Sequence, residues 1–328
     1  MSDIWVKSRW TRFYAWDWVT NRPAVMSLHE ASMRAQVLPQ SFYYHVLRIA
    51  AEHKASTAVE GNVRLRYVPR SELVPCVLAA CRSPQSIQSI LSGISDPSMA
   101  TRGQILQAVQ ALIRAGLLVK VGQEETFDPS AVFQAARILY GFFQLEPEMV
   151  PAIQAVYALR PKVVVEIGTA WGGSLFCWAQ AADPEALLVS VDIPGGVGGG
   201  GYLAESVPHF KNFCFDTQHL VSVIGDSRDP SVIRQVHDAL GGRRIDLLFI
   251  DGDHSYRGVK GDFECYGPLV SPGGVVMFHD IQPQTSPDPA YLIEVAAFWI
   301  EVSSTRRSRS FVAEADQSGG GIGVVYMA

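Results

Sequence analysis

The rhythm of polar and apolar positions changes near the middle of the chain. From Pro161 onward, short apolar runs at 163–167, 187–191, 221–224, 246–250, 275–278, 310–312 and 322–326 alternate with longer segments of helical character. Runs that stay apolar belong to strands buried on both faces, and strands separated by helices form a parallel sheet covered on both sides. The last two runs are separated only by a loop from Glu314 to Gly321, so the final strand can return antiparallel as a hairpin. The pattern therefore predicts an α/β domain, a doubly wound sheet of seven strands with its last strand antiparallel.

Upstream the signal is mostly helical. Apolar residues within 73–81, 87–91 and 105–113 recur at helical spacing, and Ala115-Gly116-Leu117-Leu118-Val119 ends the last of these helices at a glycine before an apolar strand. Three helices, a glycine and a strand resemble a winged-helix module over 71–121. Its third helix, 103–114, offers only Arg114 as a cation, so dimerisation or substrate capping is expected in place of DNA binding. Trp5, Trp10, Phe13, Tyr14, Trp16 and Trp18 form an aromatic cluster too dense to leave in water, which predicts packing on another domain or subunit and hence a homo-oligomer. A polar, proline-marked stretch at 123–130 reads as a linker. The chain is divided into a helical N-terminal domain, 1–145, and an α/β domain, 146–328.

Composition agrees with two domains. The chain has 328 residues, 48% of them apolar and 18% charged, which is ample for a core. The mean hydropathy of +0.12 is high, yet the most apolar stretch, 290–302, is interrupted by Glu294 and Glu301, so no membrane span is expected. The first residues lack the apolar core of a secretory signal, and the five scattered cysteines include no C-x-x-C pair, so a reducing, cytoplasmic setting is expected. Charge divides with the periodicity. Residues 1–145 hold 15 Lys and Arg against 10 Asp and Glu, whereas 146–328 hold 12 against 22, which excludes a nucleic-acid surface on the second half.

Ligands of an open parallel sheet bind beyond the carboxyl ends of its strands, so the residues there carry the chemistry. The first strand ends in Glu166-Ile167-Gly168-Thr169-Ala170-Trp171-Gly172-Gly173-Ser174, a glycine turn leading into a helix whose amide groups suit an anionic ligand group. Its spacing is neither the dinucleotide G-x-G-x-x-G nor a phosphate loop. The second strand ends at Asp192, a carboxylate able to accept two ribose hydroxyls, and the third at Asp226-Ser227, able to receive an adenine amino group. Asp251, Asp253 and His254 follow the fourth strand, and His279 and Asp280 the fifth.

These segments resemble the class I S-adenosyl-L-methionine-dependent methyltransferases, a Rossmann-like fold. Within them they resemble the group related to cephalosporin-hydroxylase-type proteins and macrolide-sugar O-methyltransferases. The resemblance covers roughly 143–328. It is carried by 166–174, Val191-Asp192-Ile193-Pro194-Gly195-Gly196, Phe249-Ile250-Asp251-Gly252-Asp253-His254-Ser255-Tyr256, Pro272-Gly273-Gly274 and Phe278-His279-Asp280-Ile281. It implies methyl transfer from S-adenosyl-L-methionine to a hydroxyl of a small molecule, with Glu166, Gly168, Thr169, Gly172, Ser174, Asp192, Asp226, Ser227 and Asp251 at the cofactor. It also implies a divalent cation, Mg²⁺ first, on Asp251 and Asp280. His279 stands where those enzymes usually carry a carboxylate, and an imidazole there suits Mn²⁺, Fe²⁺ or Zn²⁺ as well. His254, three residues beyond Asp251, is expected to be the base that takes the hydroxyl proton. The alternatives are metal-independent O- or N-methyl transfer, or a cofactor-binding accessory protein that recognises a peptide or carrier through its N-terminal half. Gly195 to Gly201, with six glycines in seven residues, reads equally as a lid or an idle loop, with Tyr202 as its anchor.

Overall fold

All seven apolar runs are strands: β1 (Val163–Ile167), β2 (Leu187–Asp192), β3 (His219–Ile224), β4 (Ile245–Ile250), β5 (Val270–His279), β6 (Ser308–Phe311) and β7 (Ile322–Tyr326). The computed structural model describes residues 127–140, 144–195, 201–202, 207, 210, 214–215, 217–284 and 293–328, and before them 4–7, 24–27, 64–67, 85–86, 106, 109–110 and 118–120. The strands form one sheet in the order β6-β7-β5-β4-β1-β2-β3. β1 to β5 run parallel, and β7 lies antiparallel between β5 and β6. β5 begins five residues earlier than its apolar run because Val270 pairs with Ile245 before a register shift, which resolves at Val275 opposite Leu247.

Helices cover both faces. α1 (Pro129–Tyr140), α2 (Glu146–Leu159) and α3 (Gly173–Ala181) pack Phe133, Ile153 and Trp178 against Leu188 and Phe249. α4 (Pro230–Leu240), α5 (Tyr256–Tyr266) and α6 (Val295–Thr305) pack Val236, Val259 and Phe298 against Val165, Val189 and Phe278. Neighbouring residues of one strand enter opposite cores, as Val164 and Val165 do, which is why the runs are continuously apolar. Local signals set the helix ends. α4 starts at Pro230 behind Asp229, whose carboxylate accepts from the Ser231 N–H at 2.7 Å, and it stops at Gly241 with φ +57°.

α1 lies upstream of the division read at residue 145, yet Phe133, Ala135 and Ala136 are buried in the same core as Trp178. Earlier in the chain, Ile4–Lys7 pairs antiparallel with Gln85–Ser86 and with Leu118–Lys120, and Ala24–Ser27 pairs with Arg64–Tyr67. Leu118–Lys120 is the strand expected after Gly116. The strands at 4–7, 24–27 and 64–67 fall where the sequence reads as mostly helical. Nearly all of the winged-helix reading and the side chains of the aromatic cluster lie outside the described residues. No helix among the described residues is long and apolar enough to cross a membrane.

Candidate functional site

The sheet order reverses between β1 and β4, since the chain proceeds from β1 to β2 on one side and from β4 to β5 on the other. The crevice beyond their carboxyl ends is the place where such folds hold ligands. Here the end of β1 is tied backbone to backbone to both of its neighbours. The Gly168 N–H donates to the Val191 carbonyl at 2.9 Å, and the Asp251 N–H donates to the Ile167 carbonyl at 2.8 Å. Gly168 has φ +84°, and a Cβ on it would lie 2.1 Å from the Asp251 carbonyl oxygen, so only glycine closes this turn. Gly172, at φ +86°, caps α3 and presents the helix start, with Ser174 buried in its first turn.

The expected cofactor carboxylates hold this turn together. Asp192 accepts from the Thr169 and Ala170 N–H groups at 2.9 and 2.7 Å through Oδ2, and from its neighbour Ile193 at 2.8 Å through Oδ1. Burial raises its pKa, and those three N–H groups oppose the rise. A carboxylate has about four acceptor sites, so one remains for a ribose hydroxyl. Glu166 is fully buried; its Oε2 accepts from the Thr169 hydroxyl at 2.7 Å, whereas its Oε1 has no hydrogen-bond partner among the described residues. Burial pushes its carboxyl up to about 8, against the opposing hydroxyls of Ser174 and Thr169. From Thr169 a buried chain of hydroxyls continues to Ser190 at 2.6 Å and on to Tyr202 at 2.6 Å. The Tyr202 N–H donates to the Ile193 carbonyl at 2.8 Å, so this residue does anchor the glycine loop, whose positions 196–200 lie outside the described residues.

The third strand end has partners the sequence did not disclose. Asp226, whose side chain is 56% exposed, accepts from the Arg228 N–H at 2.9 Å, and the Arg228 guanidinium reaches on to Asp253 at 3.0 Å. Ser227 turns its hydroxyl inward to donate to Asp262, a carboxyl that burial pushes up to about 7. Gly258 makes room for this arrangement, because a Cβ there would lie 2.2 Å from Cγ of Asp253.

The fourth and fifth strand ends converge. His254 Nε2 lies 3.3 Å from Asp251 Oδ1 and its Nδ1 lies 3.5 Å from Asp280 Oδ2; His279 Nδ1 lies 3.2 Å from Asp251 and 3.4 Å from Asp280. Burial disfavours both imidazolium ions, but the Asp251 and Asp280 carboxylates outweigh it. They raise His254 to about 8 and His279 well above its ordinary value. Burial likewise opposes ionisation of Asp251 and Asp280, and the two imidazoles overcome it, holding both carboxyls below the ordinary range. Asp280 stands at φ +61° and accepts from the Gly320 N–H at 3.0 Å, while Asp251 accepts through Oδ2 from Gln144 Nε2 at 3.2 Å. Ligand atoms of Asp251, His254 and Asp280 all lie within 4.8 Å of one another. That trio shares Asp251 and Asp280 with the expected ligand set and has His254 where His279 was expected. Two carboxylates with imidazoles suit a divalent cation of intermediate hardness.

Residues 165–281 match a family described as "Methyltransferase domain". The chain is 30% identical over 202 residues to the uncharacterized protein y4gI of Sinorhizobium fredii, covering 60% of this chain and 20% of that protein. It is 31% identical over 139 residues to the 8-demethyl-8-alpha-L-rhamnosyl tetracenomycin-C 2'-O-methyltransferase of Streptomyces olivaceus, covering 40% of this chain and 31% of that one. The chain thus spans a fifth to a third of the length of these two relatives. Among solved structures, the O-methyltransferase TomG of Streptomyces achromogenes aligns with a TM-score of 0.43 at 18% identity, over 63% of this chain and 93% of that one.

Proposed function

We propose that the chain, whose residues 165–281 match a family described as a methyltransferase domain, transfers the methyl group of S-adenosyl-L-methionine to a hydroxyl of a small molecule, assisted by a divalent cation. The observation that carries the reading is the convergence of Asp251, His254, His279 and Asp280 beside the Gly168 turn, at the reversal point of the sheet. The cofactor fits the residues present. Oε1 of Glu166 and the remaining acceptor site of Asp192 would accept hydrogen bonds from its amino-acid and ribose parts, and the start of α3 would receive its carboxylate. Asp251 and Asp280, with His254 or His279, would hold the cation.

Held by Asp251 and Asp280 with His254 or His279, such a cation would supply Lewis-acid polarisation that lowers the pKa of an acceptor hydroxyl. The protein's part is to receive the proton and keep the geometry. His254 is placed for the first task. Asp251 and Asp280 flank its two ring nitrogens and orient the ring. Its loop is braced from α6, where the Glu294 N–H donates to the His254 carbonyl at 2.8 Å and Glu294 Oε2 accepts from the Tyr256 N–H at 3.0 Å.

One observation favours a second reading, transfer without metal. The two imidazoles already balance the two carboxylates, so His254 has an oriented, charge-compensated setting of its own. Calorimetric titration with S-adenosyl-L-methionine, in EDTA and in Mg²⁺, followed by turnover on a panel of hydroxylated acceptors, separates the two. Binding in both with turnover only in Mg²⁺ supports the metal-assisted reading, equal turnover supports the other, and no binding in either rejects both. His254→Ala is expected to lower turnover by about 10²-fold or more while leaving cofactor affinity unchanged. Self-association through the aromatic-rich N-terminal half belongs to the same proposal, and a monomer in light scattering of the full chain would overturn it.

A further inference from the structure

We propose that the start of α2 positions the two carboxylates at the heart of the site, with Gln144 setting Asp251 and Glu148 setting Asp280. The inference rests on the metal-assisted reading above. Asp251 has its Oδ1 shared between His254 and His279, at 3.3 and 3.2 Å, and its Oδ2 takes the Gln144 amide at 3.2 Å. Gln144 therefore fixes the rotation of the carboxylate that the histidines alone leave free to turn about the shared oxygen.

One helical turn further on, Glu148 is fully buried, and its Oε1 accepts from Gln317 Nε2 while its Oε2 has no partner among the described residues. Gln317 is the hub of the loop between β6 and β7. Its Oε1 accepts from the Ala313 and Glu314 N–H groups at 2.7 and 2.9 Å, and its Nε2 also donates to the Gly319 carbonyl at 2.9 Å. The next residue, Gly320, has φ +70°, and a Cβ on it would lie 3.3 and 3.5 Å from the two Glu148 oxygens. Its N–H holds Asp280 Oδ1 at 3.0 Å, which leaves Oδ2 toward the imidazoles. A buried carboxylate with one oxygen unpartnered is costly, and apolar packing would be the cheaper filler for this position. Glu148 supplies what an apolar residue cannot, an acceptor that pins the Gln317 to Gly320 loop and through it Asp280. Both ties start from one rigid element, since the Glu148 and Met149 N–H groups close the first turn of α2 on the Leu145 carbonyl at 3.1 and 3.0 Å.

Residues that orient a metal's ligands typically change its affinity about 10- to 100-fold. The test is Mn²⁺ binding by the EDTA-treated full chain, read as loss of the free-ion electron paramagnetic resonance signal, with S-adenosyl-L-methionine affinity measured in parallel by calorimetry. Gln144→Ala and Glu148→Ala are expected to weaken Mn²⁺ about tenfold or more, with cofactor affinity unchanged, and Glu148→Gln, which keeps an acceptor for Gln317, is expected to restore it. Gln317→Ala cuts the second tie from the loop side and replaces Glu148→Ala if that variant does not fold. Wild-type Mn²⁺ affinity in Gln144→Ala, and in Glu148→Ala or Gln317→Ala, overturns the positioning roles and leaves the metal reading standing. Mn²⁺ binding absent from the wild-type chain, or present and unchanged in Asp251→Asn, overturns both.

Discussion

Glu166 offers a measurement in which burial can be read as a change of stability with pH. Its carboxyl is fully buried, and its pKa rises from 4.5 to about 8 chiefly through desolvation. The folded state therefore binds more protons than the unfolded chain between those two values. The contribution is intact below the unfolded pKa of 4.5 and is lost as pH rises through the folded value near 8. One pKa unit is ~1.4 kcal/mol, so between pH 5 and pH 9 the folded state loses roughly 4 kcal/mol through this group. Glu166→Gln removes the titration but keeps a carbonyl acceptor for the Thr169 hydroxyl, and the amide nitrogen it puts in the place of the unpartnered oxygen adds a pH-independent cost of ~1–3 kcal/mol. Urea unfolding of both full-length proteins, followed by circular dichroism every half unit from pH 5 to 9, gives the difference curve in which titrating groups that do not interact with Glu166 cancel. The wild type is expected to lose stability relative to the variant as pH rises, with most of the divergence complete by pH 8.5. Parallel curves over that window would refute the account of Glu166 as a desolvated acid.

Gly168→Ala combines a φ of +84° with a Cβ 2.1 Å from a backbone carbonyl that has no side chain to move aside, so a loss beyond ~2 kcal/mol and of detectable cofactor binding is expected in urea melts and calorimetry. Tyr202→Phe removes a buried hydroxyl from the chain through Ser190 and Thr169 and is expected to cost ~1 kcal/mol; unchanged stability would mean that the hydroxyl chain does not hold the loop. Trp178→Ala empties a fully buried site packed edge-on against Phe249 at 5.1 Å, with an expected loss of ~3–5 kcal/mol in the same assay.

Which parts of this site the sequence discloses follows from the range of the interactions that build each part. The strands are legible because burial on both faces makes them continuously apolar, and β1 and β7 coincide with their runs at 163–167 and 322–326. The gathering of polar residues is legible too, since a parallel sheet brings the carboxyl ends of its strands to one edge, and the four residues Asp251, His254, His279 and Asp280 are found together there. What spacing does not carry is the direction each side chain takes after it arrives. Ser227, expected at an adenine, donates inward to Asp262, 35 positions away, and Asp192 gives two of its about four acceptor sites to the glycine turn and a third to its neighbour Ile193. The choice between His254 and His279 as third ligand is likewise set by position along the chain only in part, because the loop of His254 is braced by Glu294, forty residues later. Gln144 and Glu148 left no local signal at all. Their partners Asp251 and Gln317 stand 107 and 169 positions downstream, and a Gln just ahead of a helix or a Glu in its opening turn is ordinary by itself. The sequence therefore reports which chemistry is assembled, through patterns that repeat within one element, whereas the contacts that aim it are single pairings between distant elements and become visible only once both ends are placed.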